Sequence, residues 1–319
     1  MDALAIARVI WVALVGGVAL LAVIKVPVRL LWIPAIAATE LGYILALLAA
    51  PAFVRAARTP RDALLCLVGA LSVLLLLSPL ARVPSVARDL PRRLDEAFGP
   101  SSASASRGAF EVRRLFAFAS PDVPIETHVF ASRVGQGPIA LDFYGGSISG
   151  AARPLVVMIH GGSWQSGDRR QLVAMARRLA HDGYAVASID YALAPRHPFP
   201  AALDDVRNAV DWLRERAHAL GVDPDRIVLY GRSAGGHLAL LAAYRWKASF
   251  VRGVVSLYGP TDLHWSWAHP TSPLLLDTPG TLRSFLGGSP DESEAIHQRY
   301  TEASPLAQVH SDSPPTLLV

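Results

Sequence analysis

A serine flanked by glycines is the residue best suited to chemistry in this chain. Ser233 lies in the pattern Gly-x-Ser-x-Gly, between Gly231 and Gly235. An apolar strand at 227–230 precedes the pattern, and an Ala/Leu-rich helix follows it. On a sharp strand-to-helix turn the serine hydroxyl is exposed above the sheet, and the free N–H groups of the new helix face the same place. The pattern therefore predicts a nucleophile elbow, with glycines where backbones approach closely.

A second glycine motif precedes the elbow by about 70 residues. Residues 160–164 read His-Gly-Gly-Ser-Trp and follow the buried strand 154–159. Paired glycines after a strand let backbone N–H groups turn toward a developing negative charge. We expect Gly161 and Gly162 to form an oxyanion hole with the amide of Ala234. An ordinary glycine loop is the alternative, and the order of the two motifs argues against it.

Together with three further motifs, these residues resemble the α/β-hydrolase superfamily. The similarity is to its esterase/lipase branch, which is related to hormone-sensitive lipase and to bacterial feruloyl-esterase-like and kynurenine-formamidase-like enzymes. It extends from about Gly137 to the last residue and is specific to the superfamily, not to a substrate. The matching residues are 160–164 (HGGSW), 190–195 (DYALAP), 199–205 (FPAALDD), 231–236 (GRSAGG) and 304–305 (SP).

The resemblance also implies roles for other residues. Asp190 and the pair Asp204/Asp205 would shape the fold, His160 would brace the oxyanion loop, and Trp164 would line the acyl or alcohol pocket. Neither a metal nor a cofactor is implied.

Three positions depart from the pattern of hormone-sensitive lipase relatives. Ser163 stands where a third glycine is usual, Arg232 where an acidic residue is usual, and Arg196 where a glutamate is usual. These departures favour the feruloyl-esterase-like and formamidase-like side of the branch.

Strands that alternate with helices must position these motifs. This alternation predicts a mostly parallel sheet flanked by helices, the α/β-hydrolase fold, with right-handed crossovers. The predicted strands are 110–118, 125–134, 139–144, 155–159, 185–190, 226–230, 251–258 and one that begins at 316; the predicted helices are 171–182 and 200–220.

A serine hydroxyl needs a histidine base and a carboxylate that orients it. In α/β-hydrolases both follow the serine, and the acid comes after the strand that begins here at 316. His237, one turn into the nucleophile helix, should point along that helix and not over Ser233. The other candidates precede the strand: Asp262, Asp312, His264, His269, His297 and His310. We therefore expect the sequence to be truncated; a genuine end, giving a membrane-attached pseudoenzyme, is the alternative.

The charge distribution argues against nucleic-acid binding. Residues 1–100 carry 10 Lys/Arg and 6 Asp/Glu, whereas residues 101–319 carry 20 of each. The hydrolase-like part is thus neutral and has no basic stripe. The single cysteine, Cys66, excludes a disulfide framework.

Three apolar stretches occupy the N-terminal region, at 4–24, 28–50 and 63–80. Each approaches the length of about 20 residues that a membrane-spanning helix needs. We expect residues 1–82 to form three transmembrane helices in a bacterial cell membrane, with the lipid bilayer as partner. Six Lys and Arg residues on the side of the hydrolase, against four on the other side, favour a cytoplasmic hydrolase.

Residues 83–109 are expected to connect the membrane region to the hydrolase domain at 110–319. An Arg-rich amphipathic segment at 83–98, interrupted by Pro91, could lie on the headgroups. Residues 101–108 read as a flexible linker.

The sequence therefore predicts a membrane-anchored serine hydrolase that cleaves small carboxylic esters through an acyl-enzyme on Ser233. As the truncated chain, without the acid and the histidine of the triad, it is expected to be nearly inactive. Two alternatives stay open. An arylformamidase-like amidohydrolase would use the same residues, and a non-catalytic membrane-attached binding protein would use none of them chemically.

Overall fold

The computed structural model describes residues 3–26, 28–49, 60–99, 115–116, 120–133, 135, 137–146 and 151–319. The chain divides into two compact units, residues 1–115 with 271–276 and residues 116–270 with 277–319. The predicted linker at 101–108 and nearly all of the predicted strand at 110–118 lie outside the described residues. The predicted domain boundaries stay a prediction.

The N-terminal unit is helical, and small side chains pack at the centre of its helices. Ala19, Ala22, Ala38 and Ala46 are buried together with Leu76. The helices are α1 (Ala3–Leu20), α2 (Trp32–Glu40), α3 (Gly42–Ala49) and α4 (Pro60–Phe98).

The expectation of three spanning helices is not met in this unit. Among the described residues, one helix is long and apolar enough to cross a membrane, within α4, or two if the bent pair α2–α3 counts as one span. α1 is shorter, and the predicted span 28–50 bends by 82° between Glu40 and Gly42. The bend lies where α3 meets α4, since a Cβ on Gly42 would lie 2.3 Å from the Leu76 carbonyl oxygen.

α4 also differs from the expected break at Pro91. The helix runs for 39 residues without interruption through Pro79, Pro84 and Pro91. Pro84 and Pro91 are exposed, so the carbonyl groups that they leave without an N–H partner can bind water. The apolar and Arg-rich halves are therefore one helix.

The second unit contains a seven-stranded sheet in the order β1-β2-β4-β3-β5-β6-β7. The two pairs β1–β2 and β2–β4 are antiparallel, and the remaining pairs are parallel. The strands are β1 (Ile125–Arg133), β2 (Gly137–Tyr144), β3 (Arg153–Ile159), β4 (Ala185–Ile189), β5 (Val222–Arg232), β6 (Val251–Leu257) and β7 (Thr316–Leu318). The predicted mostly parallel sheet is confirmed.

Helices cover both faces of this sheet. Because successive strand residues point to opposite faces, Val157 and Ile159 of β3 belong to one core, and Val156 and Met158 belong to the other. The helices are α5 (Val173–His181), α6 (Ala201–Glu215), α7 (Ala217–Leu220), α8 (Ala234–Trp246), α9 (Leu263–Ala268), α10 (Thr278–Leu286) and α11 (Glu294–Glu302). The helix predicted at 200–220 is thus two helices, α6 and α7.

Candidate active site

Ser233 occupies a strained turn between the central strand β5 and the helix α8. Its backbone has φ 52° and ψ −123°, a conformation that side-chain-bearing residues rarely adopt. The Ser233 amide donates to the Leu257 carbonyl of β6 at 2.8 Å, which ties the turn to the neighbouring strand. The serine therefore lies at the carboxyl edge of the sheet, where α/β proteins place their ligands.

The two flanking glycines leave space that no other residue would leave. A Cβ on Gly231 would lie 2.2 Å from the Gly235 carbonyl oxygen, and a Cβ on Gly235 would lie 2.1 Å from that of Ile159. Both atoms are backbone atoms, so neither can move aside. The pattern Gly-x-Ser-x-Gly thus reflects close packing of the turn against itself and against β3.

The His-Gly-Gly-Ser-Trp loop lies against the serine. It follows β3, the parallel neighbour of β5. A Cβ on Gly161 would lie 2.9 Å from the Arg232 carbonyl oxygen and 3.4 Å from the Ser233 Cβ. The structure therefore brings together the two motifs that lie far apart in the sequence.

Strained backbones mark the same edge. In the described part of the second unit, five non-glycine residues have positive φ. Ser163, Trp164, Ser233 and Tyr258 immediately follow or lie shortly after the strands β3, β5 and β6. Strain of this kind is often stored at functional sites.

The amides of the loop are not equivalent. The Gly161 amide donates to Oε1 of Gln171 at 3.2 Å. The Gly162 and Ala234 amides make no hydrogen bond to any residue that the structure describes. These two amides therefore have no competing protein partner among the described residues, and the oxyanion hole predicted for Gly161, Gly162 and Ala234 stays a prediction.

His160 braces the loop from below. Its ring stacks on Tyr191 at 4.1 Å, and its Nδ1 lies 2.8 Å from the Gly161 carbonyl oxygen. Because a carbonyl oxygen can only accept, Nδ1 carries the proton. Burial lowers the pKa of His160, so the ring is neutral at pH 7. The His160 ring therefore holds the loop through its Nδ1, and it makes no hydrogen bond to the Ser233 hydroxyl.

Trp164 lies inward from the loop, among aromatic rings. It is 5% exposed, stacks on Phe285 at 4.3 Å and donates from Nε1 to Nδ1 of His237 at 3.2 Å. Its predicted role in lining a pocket stays a prediction. His237 is buried and its Nε2 lies 2.7 Å from the Ala303 carbonyl oxygen. Both of its nitrogens thus have partners other than Ser233.

Two of the three acidic residues in the family motifs, Asp190 and Asp205, form ion pairs. Asp190 accepts from the Arg169 guanidinium at 2.6 Å and from the Arg169 amide at 2.8 Å. Asp205 is fully buried and binds the Arg133 guanidinium at 2.9 Å, whereas Asp204 is exposed. Asp190 and Asp205 therefore hold loops and helices in place.

No histidine or carboxylate in the described ranges hydrogen-bonds the Ser233 hydroxyl. Asp262 caps α9 through the Trp265 amide, and His310 contacts the Tyr244 carbonyl. Within the same ranges, no group of three or more His, Cys, Asp and Glu is arranged to hold a metal ion.

The sequence did not predict the contact of Gln171 with the glycine loop or the hydrogen bond of Arg232 to Gln171. Gln171 contacts the loop through both its side-chain oxygen and nitrogen, and Arg232 donates to that oxygen at 3.1 Å. The departure of Arg232 from the lipase pattern is visible in the sequence. Gln171 lies on an exposed stretch with no motif, so the sequence carries no signal for it.

The family model BD-FAE matches residues 141–319, more than half of the chain and all of the strands from β3 onward. The chain belongs to the BD-FAE family. Its resemblance to α/β-hydrolase esterases and lipases is confirmed by this match and by the similarities below.

Known relatives of this BD-FAE chain include two proteins of Mycobacterium tuberculosis. The "Probable carboxylic ester hydrolase LipM" is 28% identical over 281 residues, which cover 80% of this chain and 64% of LipM. The "Esterase LipQ" is 31% identical over 185 residues, or 52% of this chain and 41% of LipQ. The chain thus spans less than two thirds of the length of either relative.

Among solved structures, a hyperthermophilic esterase from the archaeon Pyrobaculum calidifontis has the same fold. It is 30% identical with a TM-score of 0.53, and the match covers 62% of this chain and 67% of the esterase.

Proposed function

We propose that the protein is a serine hydrolase of carboxylic esters and that Ser233 is its nucleophile. The observation that carries the proposal is the close approach of the glycine loop to the strained Ser233: a Cβ on Gly161 would lie 3.4 Å from the Ser233 Cβ. The esterase names of LipQ and of the Pyrobaculum protein support an ester as substrate.

In the proposed reaction the Ser233 Oγ attacks the ester carbonyl carbon while a general base takes its proton. The carbonyl oxygen becomes an oxyanion, which the amides of Gly162 and Ala234 stabilise; one such donor typically contributes about 3 kcal/mol. Collapse of the intermediate breaks the carbon–oxygen bond, and the alcohol leaves with the proton. Water then attacks the acyl-enzyme and releases the carboxylic acid and free Ser233. The reaction requires no metal or cofactor.

The general base must be a residue other than His160 and His237. Both ring nitrogens of His237 have partners other than Ser233, and Nδ1 of His160 donates to the Gly161 carbonyl oxygen. No hydrogen bond joins either ring to the Ser233 hydroxyl among the described residues.

The test is hydrolysis of p-nitrophenyl acetate together with covalent labelling by a fluorophosphonate. We expect turnover and labelling in the wild type, and neither in Ser233→Ala. The matched control is Ser163→Ala, a serine on the neighbouring loop, which should still be labelled. Preferred cleavage of an aryl formamide would instead favour the amidohydrolase. Absence of both turnover and labelling would leave only a binding function.

We further propose that the N-terminal unit anchors the protein in the bacterial cell membrane. Its helices pack small residues inward, whereas large apolar residues are exposed, the reverse of a soluble protein. Those of α1 and α4 include Ile10, Trp11, Leu14, Leu64, Leu67, Leu71 and Leu74. Four fifths of the chain aligns with LipM, so that similarity extends beyond the hydrolase-like residues into this unit.

Membrane anchoring is tested by alkaline carbonate extraction of membranes. We expect the wild type to stay in the pellet. Leu67→Arg places a charge on the exposed apolar side of α4 and should release the protein or lower its level. Ser85→Arg, in the Arg-rich half of the same helix, is the matched control and should stay in the pellet. A wild type that is fully released would exclude an integral anchor.

A further inference from the structure

We propose that Gln171 is a positioning residue that holds the oxyanion loop in its reactive conformation; the proposal rests on the serine-hydrolase function of Ser233. Its side-chain amide binds both polar groups of one residue. Oε1 accepts from the Gly161 amide at 3.2 Å, and Nε2 donates to the Gly161 carbonyl oxygen at 3.2 Å. A single side chain thus fixes the residue that immediately precedes Gly162.

The chemistry of this contact requires an amide. The Gly161 N–H needs an acceptor and its C=O needs a donor, and a glutamine side chain supplies one of each. A glutamate would present a second acceptor to the carbonyl, and an aliphatic side chain would offer neither. His160 supplies a second donor to the same carbonyl at 2.8 Å. With Gln171 in place, both backbone groups of Gly161 are satisfied.

The loop is also held where it returns toward Gln171. A Cβ on Gly167 would lie 2.5 Å from the Gly161 carbonyl oxygen and 2.6 Å from Nε2 of Gln171. The backbone of Gln171 is itself tethered, because its amide donates to the Asp168 carbonyl at 3.2 Å. The nearby Arg169 donates to the Asp190 carboxylate from both its backbone amide and its guanidinium. The segment that carries Gln171 is therefore held at the end of β4, which Asp190 follows.

Arg232 joins Gln171 to the nucleophile elbow. Its guanidinium Nη2 donates to Oε1 of Gln171 at 3.1 Å, and Arg232 directly precedes Ser233. Oε1 of Gln171 therefore binds both Gly161, which precedes Gly162, and Arg232, which precedes Ser233. Loss of Gln171 should let the loop and the elbow shift independently, which would misplace the Gly162 amide relative to the oxyanion.

Gln171 is exposed although Gly161 is buried, so water can partly replace the side-chain amide. We expect Gln171→Ala to lower kcat by about tenfold, less than the roughly 100-fold or more that follows loss of an oxyanion donor itself. KM should change less than about twofold, because the oxyanion is absent in the bound ground state. Affinity for an aryl trifluoromethyl ketone, whose serine adduct carries an oxyanion, should fall by the same factor as kcat.

The experiment measures kcat and KM for p-nitrophenyl acetate and the inhibition constant of the trifluoromethyl ketone, in the full-length protein. The variants are Gln171→Ala and Gln171→Glu, which keeps the acceptor and removes the donor. Gln165→Ala, an exposed glutamine of the same loop whose side chain bonds no described residue, is the matched control. Thermal midpoints of the wild type and the variants show whether folding is intact.

A selective fall in kcat, matched by weaker ketone binding in both Gln171 variants and absent from Gln165→Ala, would establish the positioning role. Suppose that the wild type is active. If folded Gln171→Glu then has an unchanged kcat, or an effect confined to KM, the positioning role is overturned. An inactive, unlabelled wild type would overturn the proposed function, and the role of Gln171 with it.

Discussion

Trp164 and His237 join the glycine loop at 160–164 to α8, the helix that follows Ser233. The indole Nε1 of Trp164 donates to Nδ1 of His237 at 3.2 Å, and the two rings meet edge to face at 5.0 Å. Since the indole can only donate, Nδ1 of His237 is unprotonated and Nε2 carries the proton that goes to the Ala303 carbonyl. A single neutral tautomer of His237 thus makes both hydrogen bonds, one to Trp164 and one to Ala303.

Trp164→Phe tests this hydrogen bond. The phenyl ring can still stack on Phe285, but Nδ1 of the buried His237 is left without a donor. We expect the free energy of unfolding to fall by about 1–3 kcal/mol, as for other buried groups left unpaired. Trp265→Phe is the control, because Trp265 is 60% exposed, and should have little effect. Equal effects of the two changes in thermal unfolding would contradict the prediction.

Acid should destabilise the second unit through His237. Burial lowers the pKa of His237 to about 4, whereas the unfolded side chain has a pKa of about 6.5. Between these values the unfolded chain binds a proton that the folded chain does not, so stability is lost as pH falls from about 6.5 toward 4. Burial also lowers the pKa of His160 and His264, which act in the same direction.

The measurement is the thermal midpoint of wild type and His237→Asn between about pH 7.5 and 4.5, a range that covers most of this titration. The variant is less stable at neutral pH but cannot titrate at this position, so its midpoint should fall less steeply with acid. Parallel curves would show that protonation of His237 contributes nothing.

Asp205→Asn should be destabilising, whereas Asp204→Asn should not. Asp205 is buried, binds Nε and Nη2 of Arg133 and accepts from the Ala192 amide at 2.9 Å. An asparagine would present donors to the guanidinium of Arg133, whose side chain is 26% exposed, and remove its counter-charge; the loss of such hydrogen bonds typically costs about 1–3 kcal/mol. The adjacent Asp204 is exposed and makes no ion pair with a described residue. Urea unfolding of the two variants, which differ by one position, checks the prediction.

Alanine substitutions at the elbow glycines should show a graded effect. At Gly231 and Gly235 the added Cβ would meet backbone oxygens at 2.2 and 2.1 Å, so both variants should lose labelling of Ser233 and unfold at lower temperature. At Gly236 the nearest atom is the Ser256 Oγ at 2.7 Å, a side chain that can rotate. Gly236→Ala should therefore lose less stability. The reverse order would mean that the turn relaxes more easily than its packing indicates.

The local sequence pattern was sufficient to predict the turn at Ser233, the glycine loop and the alternation of strands and helices. The apolar strand, the glycines around Ser233 and the helix after it follow one another within about fifteen residues, so their geometry depends on neighbouring residues alone. Burial on both faces of a parallel sheet makes its strands continuous apolar runs, which the sequence displays directly. The ion-pairing of Asp190 and Asp205 agrees with the structural role that the family resemblance implied.

Only the tertiary structure decided which groups these motifs touch. Gln171 meets Gly161, and Trp164 meets His237, across 10 and 73 positions of the chain, because of packing that no local spacing encodes. The bend between Glu40 and Gly42 follows from the close approach of Gly42 to α4, and Pro91 fits within a helix because its neighbourhood is exposed. The amino-acid sequence by itself determined which motifs the chain carries. The tertiary structure determined which groups hold these motifs in place, since long-range contacts are set by packing and solvent exposure.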